Sequence, residues 1–146
     1  MKRYRFLLGL IPVVLFALTA AGCHPKIDTM TEARKAFIKM ISKAAEKLDL
    51  NDDQKIQLEK LKADIRKNFD EGRIENMEAM KKIKEEGNSG NPDIQKMTSL
   101  FQGTLENEVK KVNQAFNMML DYQKNLNGDQ KKKLTDMIVD WIKKWD

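Results

Sequence analysis

The segment Leu50-Asn51-Asp52-Asp53-Gln54-Lys55-Ile56-Gln57-Leu58 returns later in the chain as Leu126-Asn127-Gly128-Asp129-Gln130-Lys131-Lys132-Lys133-Leu134. Six of the nine positions are identical, giving the pattern L-N-x-D-Q-K-x-x-L. Each residue of the pattern suits the start of a helix. An Asn side-chain oxygen accepts an amide hydrogen from the first turn. A Gln three residues on returns a bond to the backbone of the cap residue. Aspartate in the first turn meets the positive end of the helix dipole. The leading Leu packs inward and sets the angle at which the chain joins the helix. One copy is ordinary capping grammar. Two copies, each lying between amphipathic segments, confine the chain to helices joined by stiffened corners.

The remaining pattern fills in those helices. Thr29-Met30-Thr31-Glu32 matches a capping box, and Phe37, Ile41, Ala44 and Leu48 follow on one stripe of a first helix. A second helix opens at Asn51 and carries Leu58, Leu61, Ile65 and Phe69, then Met77, Met80 and Ile83, with Gly72 as a point of bending. Gly87-Asn88-Ser89-Gly90-Asn91-Pro92 ends it as a short turn. Asn91 as N-cap and Pro92 as first helical residue then start a third helix. Its stripe is long: Ile94, Met97, Phe101, Leu105, Val109, Val112, Phe116 and Met119. A fourth helix follows Asn127 with Leu134, Met137, Ile138, Trp141 and Trp145. No segment alternates with period two. The expectation is an all-α chain whose second and third helices form a long antiparallel hairpin flanked by two shorter helices. Such a thin hairpin has little interior for its surface, so part of an apolar stripe should stay bare or be covered by a second subunit.

The N-terminus carries a different kind of information. Lys2, Arg3 and Arg5 precede an apolar run from Phe6 to Gly22, which ends in Ala20-Ala21-Gly22-Cys23. A basic start, an apolar middle and small residues before a cleavage point make an export signal. With a cysteine directly after the small residues, the segment resembles a bacterial lipoprotein signal, although Ala20 stands where that signal usually has Leu. The resemblance implies cleavage before Cys23 and acylation of its thiol. Residues 1–22 are then the signal, 23–29 a lipidated tether and 30–146 the helical domain. The competing readings are an uncleaved membrane helix and an ordinary secretory signal; the run of 17 residues is at the short edge of a membrane span. His24, in place of the Asp that resembles an inner-membrane retention signal, points to the outer membrane, facing the periplasm.

The signal also corrects the charge. The whole chain is +5, but the remainder after residue 22 has 24 basic against 22 acidic residues, a net +2. Nucleic acid therefore loses its electrostatic case as a partner. Catalysis lacks its parts, since His24 is the only histidine and sits in the tether. The carboxylates alternate with lysines at helical spacings, as solvated ion pairs do. Metal binding has little to work with: no thiol is free if Cys23 is acylated, His24 is isolated, and methionines such as Met77 and Met80 at helical spacing serve more often as core or contact residues than as Cu(I) ligands. No cofactor is expected. The eight methionines after the signal suit a surface that adapts to varied partners, with half or more of them expected in the core.

The two L-N-x-D-Q motifs, with Leu50, Asn51 and Gln54 in one and Leu126, Asn127 and Gln130 in the other, resemble the L-T-x-x-Q motifs of the Spy/CpxP family of periplasmic stress proteins. Asn replaces the usual Thr in both copies and does the same capping job. The resemblance implies an all-helical, cradle-shaped antiparallel dimer. It implies chaperone activity without ATP on unfolded envelope proteins, or docking to one envelope partner such as a stress sensor; other relatives sense or store metal. A lipid anchor would be a variation on a family of soluble proteins.

Overall fold

A computed structural model describes residues 28–143 of the chain. The signal, Cys23, the rest of the tether up to residue 27, and Trp145 lie outside the described residues, as does the side chain of Trp141. The described residues form four α-helices and no strand: α1 (Thr29–Ala45), α2 (Asp52–Gly87), α3 (Ile94–Tyr122) and α4 (Gly128–Ile142), with a 3-10 turn at Gln123–Asn125 before α4. The expected architecture is present. Helices α2 and α3 pair as the long hairpin, and α1 packs across α2 and, less extensively, α3. No helix among the described residues is long and apolar enough to cross a membrane.

Two helix starts differ from expectation. Asp28, not a Thr29–Glu32 capping box, caps α1: its carboxylate accepts from the Thr31 amide at 3.0 Å and the Thr31 hydroxyl at 2.6 Å. A carboxylate one residue earlier outcompetes the hydroxyl because it also complements the helix dipole. Thr29 is then free to bond the Glu108 carboxylate on α3. Likewise Asp93, not Asn91, caps α3 by accepting from the Lys96 amide at 3.0 Å. Pro92 is thereby left in the turn. The tip is closed by Glu86, which accepts from the Asp93 amide at 3.1 Å and from Lys96 Nζ at 2.5 Å. These bonds hold the Glu86 carboxyl below its ordinary range and raise the Lys96 ammonium.

The core lies in the half of the hairpin that α1 covers. Phe69 and Ile65 of α2 are its most enclosed side chains, and Phe37 of α1 lies between Phe69 and Phe116, tilted to the first and edge-on to the second, at centroid distances of 5.4 and 4.9 Å. Full burial of one such side chain stabilises by about 1.5–3 kcal/mol. Gly72 does not interrupt α2, which runs through it to Gly87. It is buried because Lys111 of α3 and Met30 of α1 converge on it: a Cβ placed there would sit 2.8 Å from Lys111 Cγ and 3.0 Å from Met30 Cε. Lys111 passes this point and ends between Glu71 and Glu75, with Nζ–O distances of 3.7 and 3.4 Å.

Candidate functional site

The six motif residues meet at one end of the bundle. Leu50 and Leu126 are buried, as expected of residues that set the corner angles. Asn51 accepts from the Gln54 amide at 2.8 Å, and Gln54 Oε1 accepts in return from the Asn51 amide at 3.0 Å. Asn127 and Gln130 repeat this box at 2.9 and 3.0 Å. What single-motif reasoning missed is that the two boxes pair. Gln54 Nε2 donates to Gln130 Oε1 at 2.9 Å, and Gln130 Nε2 donates to Gln54 Oε1 at 3.0 Å. The second hydrogen of each amide goes to the opposite corner's backbone: Gln54 to the Asn125 carbonyl at 2.8 Å, Gln130 to the Leu48 carbonyl at 3.1 Å. Each glutamine thus makes all four bonds its amide allows, in a buried setting where an unmade bond is costly.

Around this pair the corners are pinned further. Asp49 takes a left-handed φ of 48°, which Asp tolerates better than most residues. The Lys133 ammonium, at 2.7 Å, holds the Asp49 carboxyl below its ordinary range. Tyr122 donates to the Gln54 carbonyl at 3.2 Å, and burial pushes its phenol up. Neutral amides fully engaged with one another offer no nucleophile and no proton to transfer. The corner's work is mechanical: it sets the ends of α1 and α3 against the starts of α2 and α4.

The surface that this frame holds out is apolar. Between α2 and α3 the contact is mixed: Ala79, Met97 and Leu100 are half-buried there, Met97 Cε lying against Gly87, and a row of polar bonds runs through it. Asn68 Nδ2 donates to the Lys111 carbonyl at 2.8 Å, Asn107 Nδ2 to Asn76 Oδ1 at 2.9 Å, and Asn76 Nδ2 to Glu108 at 3.3 Å. On α3 the buried positions are Thr104, Lys111 and Ala115. The long apolar stripe of α3 is turned roughly 100° away from them around the helix. Ile94, Phe101, Leu105, Val109 and Phe116 are consequently exposed, Val109 to 62%. Leu120 extends the row and is also bare. The stripe faces the side on which α1 lies, since Phe116 touches Phe37. Helix α1 begins only at Thr29, level with Gly72, so it leaves the stripe's distal half uncovered. Met77 and Met80 of α2 are exposed on the flank of the same half, at 60% and 44%.

Of the eight methionines after the signal, Met30 is buried and Met118, Met119 and Met137 are partly buried against the core, against the half or more expected there. Met40, Met77 and Met80 are exposed. No cluster of three or more His, Cys, Asp or Glu side chains suited to a metal occurs among the described residues. No curated protein and no solved structure matches the chain. A profile of the LTXXQ motif family matches residues 38–137, a span that contains both L-N-x-D-Q corners and the whole of the hairpin they brace, and the chain belongs to that family, the Spy/CpxP type.

Proposed function

We propose that this protein is an envelope lipoprotein, held by Cys23 at the outer membrane and facing the periplasm, that binds unfolded envelope proteins without ATP or cofactor. It is not an enzyme. The observation that carries the reading is the bare apolar row of α3, with Met77 and Met80 beside it. A hairpin with a row of polar bonds in its seam and a row of apolar side chains left outside is not built for stability alone. Exposed contiguous apolar surface marks a place where another molecule binds. Methionine and phenylalanine fit that surface to clients of many shapes. Ion pairs one helical turn apart, such as Lys81 with Glu85 and Lys67 with Glu71, keep the remaining surface solvated. The working form is a homodimer, because one copy leaves apolar side chains bare on α4 as well, at Ile138 and Val139.

Light scattering of a chemically unfolded client, with and without the purified protein, tests this reading. Aggregation is expected to fall as the protein approaches stoichiometric amounts. Undiminished aggregation at several-fold excess contradicts it. A pull-down from envelope extract then separates many weak clients, as expected, from one stoichiometric partner, which would make the same surface a docking site for something like a stress sensor.

A further inference from the structure

We propose that, between clients, the uncovered apolar face rests on the surface of the bilayer that holds the protein, so that membrane and client compete for one site. This inference rests on the reading of Cys23 as an acylated anchor. Its geometric basis is where the described chain begins. Asp28 lies 4.0 Å from Arg73, Thr29 bonds Glu108, and Met30 covers Gly72. The tether therefore reaches the fold at the inner edge of the bare face, on the same side as that face. From Cys23 to Asp28 the chain extends at most about 17 Å. The bare part of the hairpin, from Gly72 to the tip at Gly87, is about 22 Å long. A tether shorter than the face it adjoins keeps Phe101, Leu105, Val109, Met77 and Met80 close to the lipid at high effective concentration.

The chemistry of the face suits that occupant. An exposed row of apolar side chains with the amphipathic Arg73 at its inner edge is the pattern of an element lying in the headgroup region of a bilayer. A second copy on the same face would have to fit within the narrow gap that the tether allows. Its binding would also depend on protein concentration, which contact with the bilayer does not.

The test uses the mature acylated protein in phosphatidylethanolamine–phosphatidylglycerol vesicles, with a spin label at Leu105→Cys or at Gly103→Cys. Acylation consumes the native thiol, so each label is unique. Gly103 lies on the opposite side of α3, where an added side chain meets nothing within 4 Å. The ratio of oxygen to water-soluble nickel chelate accessibility is expected to be several-fold higher at position 105 than at 103, and to fall when unfolded client is added. Equal, aqueous ratios on acylated protein overturn the inference and leave the anchor standing. Shielding of position 105 from both reagents, with dipolar broadening between labels, identifies a second copy and also overturns it. A mass that shows Cys23 without acyl chains overturns the anchor and this inference together.

Discussion

Gln54 and Gln130 explain why the motif comes twice. Each satisfies its own helix start, and each completes the other, so a single copy would leave a buried amide unpaired. Replacing Gln130 with Ala should destabilise the fold by about 1–3 kcal/mol, the cost of stranding buried polar groups. The Gln54→Ala/Gln130→Ala double variant should lose less than the sum of the single losses, because the two share one network; denaturant melts of all four proteins measure the difference, and strict additivity would contradict the pairing. Asn51→Thr, which restores the family letter, should cost only a few tenths of a kcal/mol, since Thr is a slightly weaker cap. Gly72→Ala tests the close approach of Lys111 Cγ and Met30: the better helix former should nevertheless lower stability by about 1 kcal/mol, because overpacking outweighs propensity. At Asp28, burial raises the carboxyl, but the Thr31 hydrogen bonds together with Arg73 and Arg34 outweigh it and hold it below its ordinary 3.8. A group depressed on folding contributes stability that is present above its unfolded value and lost as pH falls through its folded one. Asp28→Asn keeps a capping oxygen without the charge. Its melting temperature should therefore decline less than that of the wild type between pH 5 and pH 2.

At the scale of the element, what could be read from the sequence was the existence and order of the helices, and what could not was which face of α3 points where. Leu58, Leu61, Ile65 and Phe69 on α2 are core, as their spacing implies. On α3 the same kind of spacing from Ile94 to Phe116 marks a row that is mostly surface, with only Met97 and Val112 half-buried, because Thr104, Lys111 and Asn107 lie on the side facing α2. Periodicity reports that a helix has an apolar face, not that the face is covered. The signal that would have exposed the difference is a second pattern: Asn68, Gly72 and Asn76 on α2, at helical spacing, form a polar and small seam that only a close polar neighbour can satisfy. The pairing of the two corners was equally hidden, since the sequence shows two capping boxes but not that they touch. Helix α4 is held by Gln130 in its first turn and by Leu134 and Met137, which are partly buried against the core, while Ile138 and Val139 remain bare. Amide exchange should accordingly be fastest in the last turns of α4 and slowest in the α2 segment around Ile65 and Phe69. Equal protection of the two would mean that α4 is docked more firmly than its contacts indicate.

For the whole molecule, the proposed function places client binding on a surface apart from the one that supplies stability. One end holds the motif corners and the aromatic core; the other extends a polar-seamed hairpin whose outer face is apolar. That separation is the central claim, and it has a consequence no ordinary core would share: the apolar row can be changed without unfolding the protein. Exposed positions away from caps and cores typically alter stability by about 0.5 kcal/mol or less. The most direct measurement compares the wild type with the Phe101→Asp/Leu105→Asp variant in two assays, thermal melting and suppression of client aggregation. The account predicts a melting temperature within a few degrees of the wild type together with loss of most of the suppression. Suppression left intact in a normally folded variant would contradict it, and so would a collapse of the melting temperature, which would make the row part of the fold's own interior.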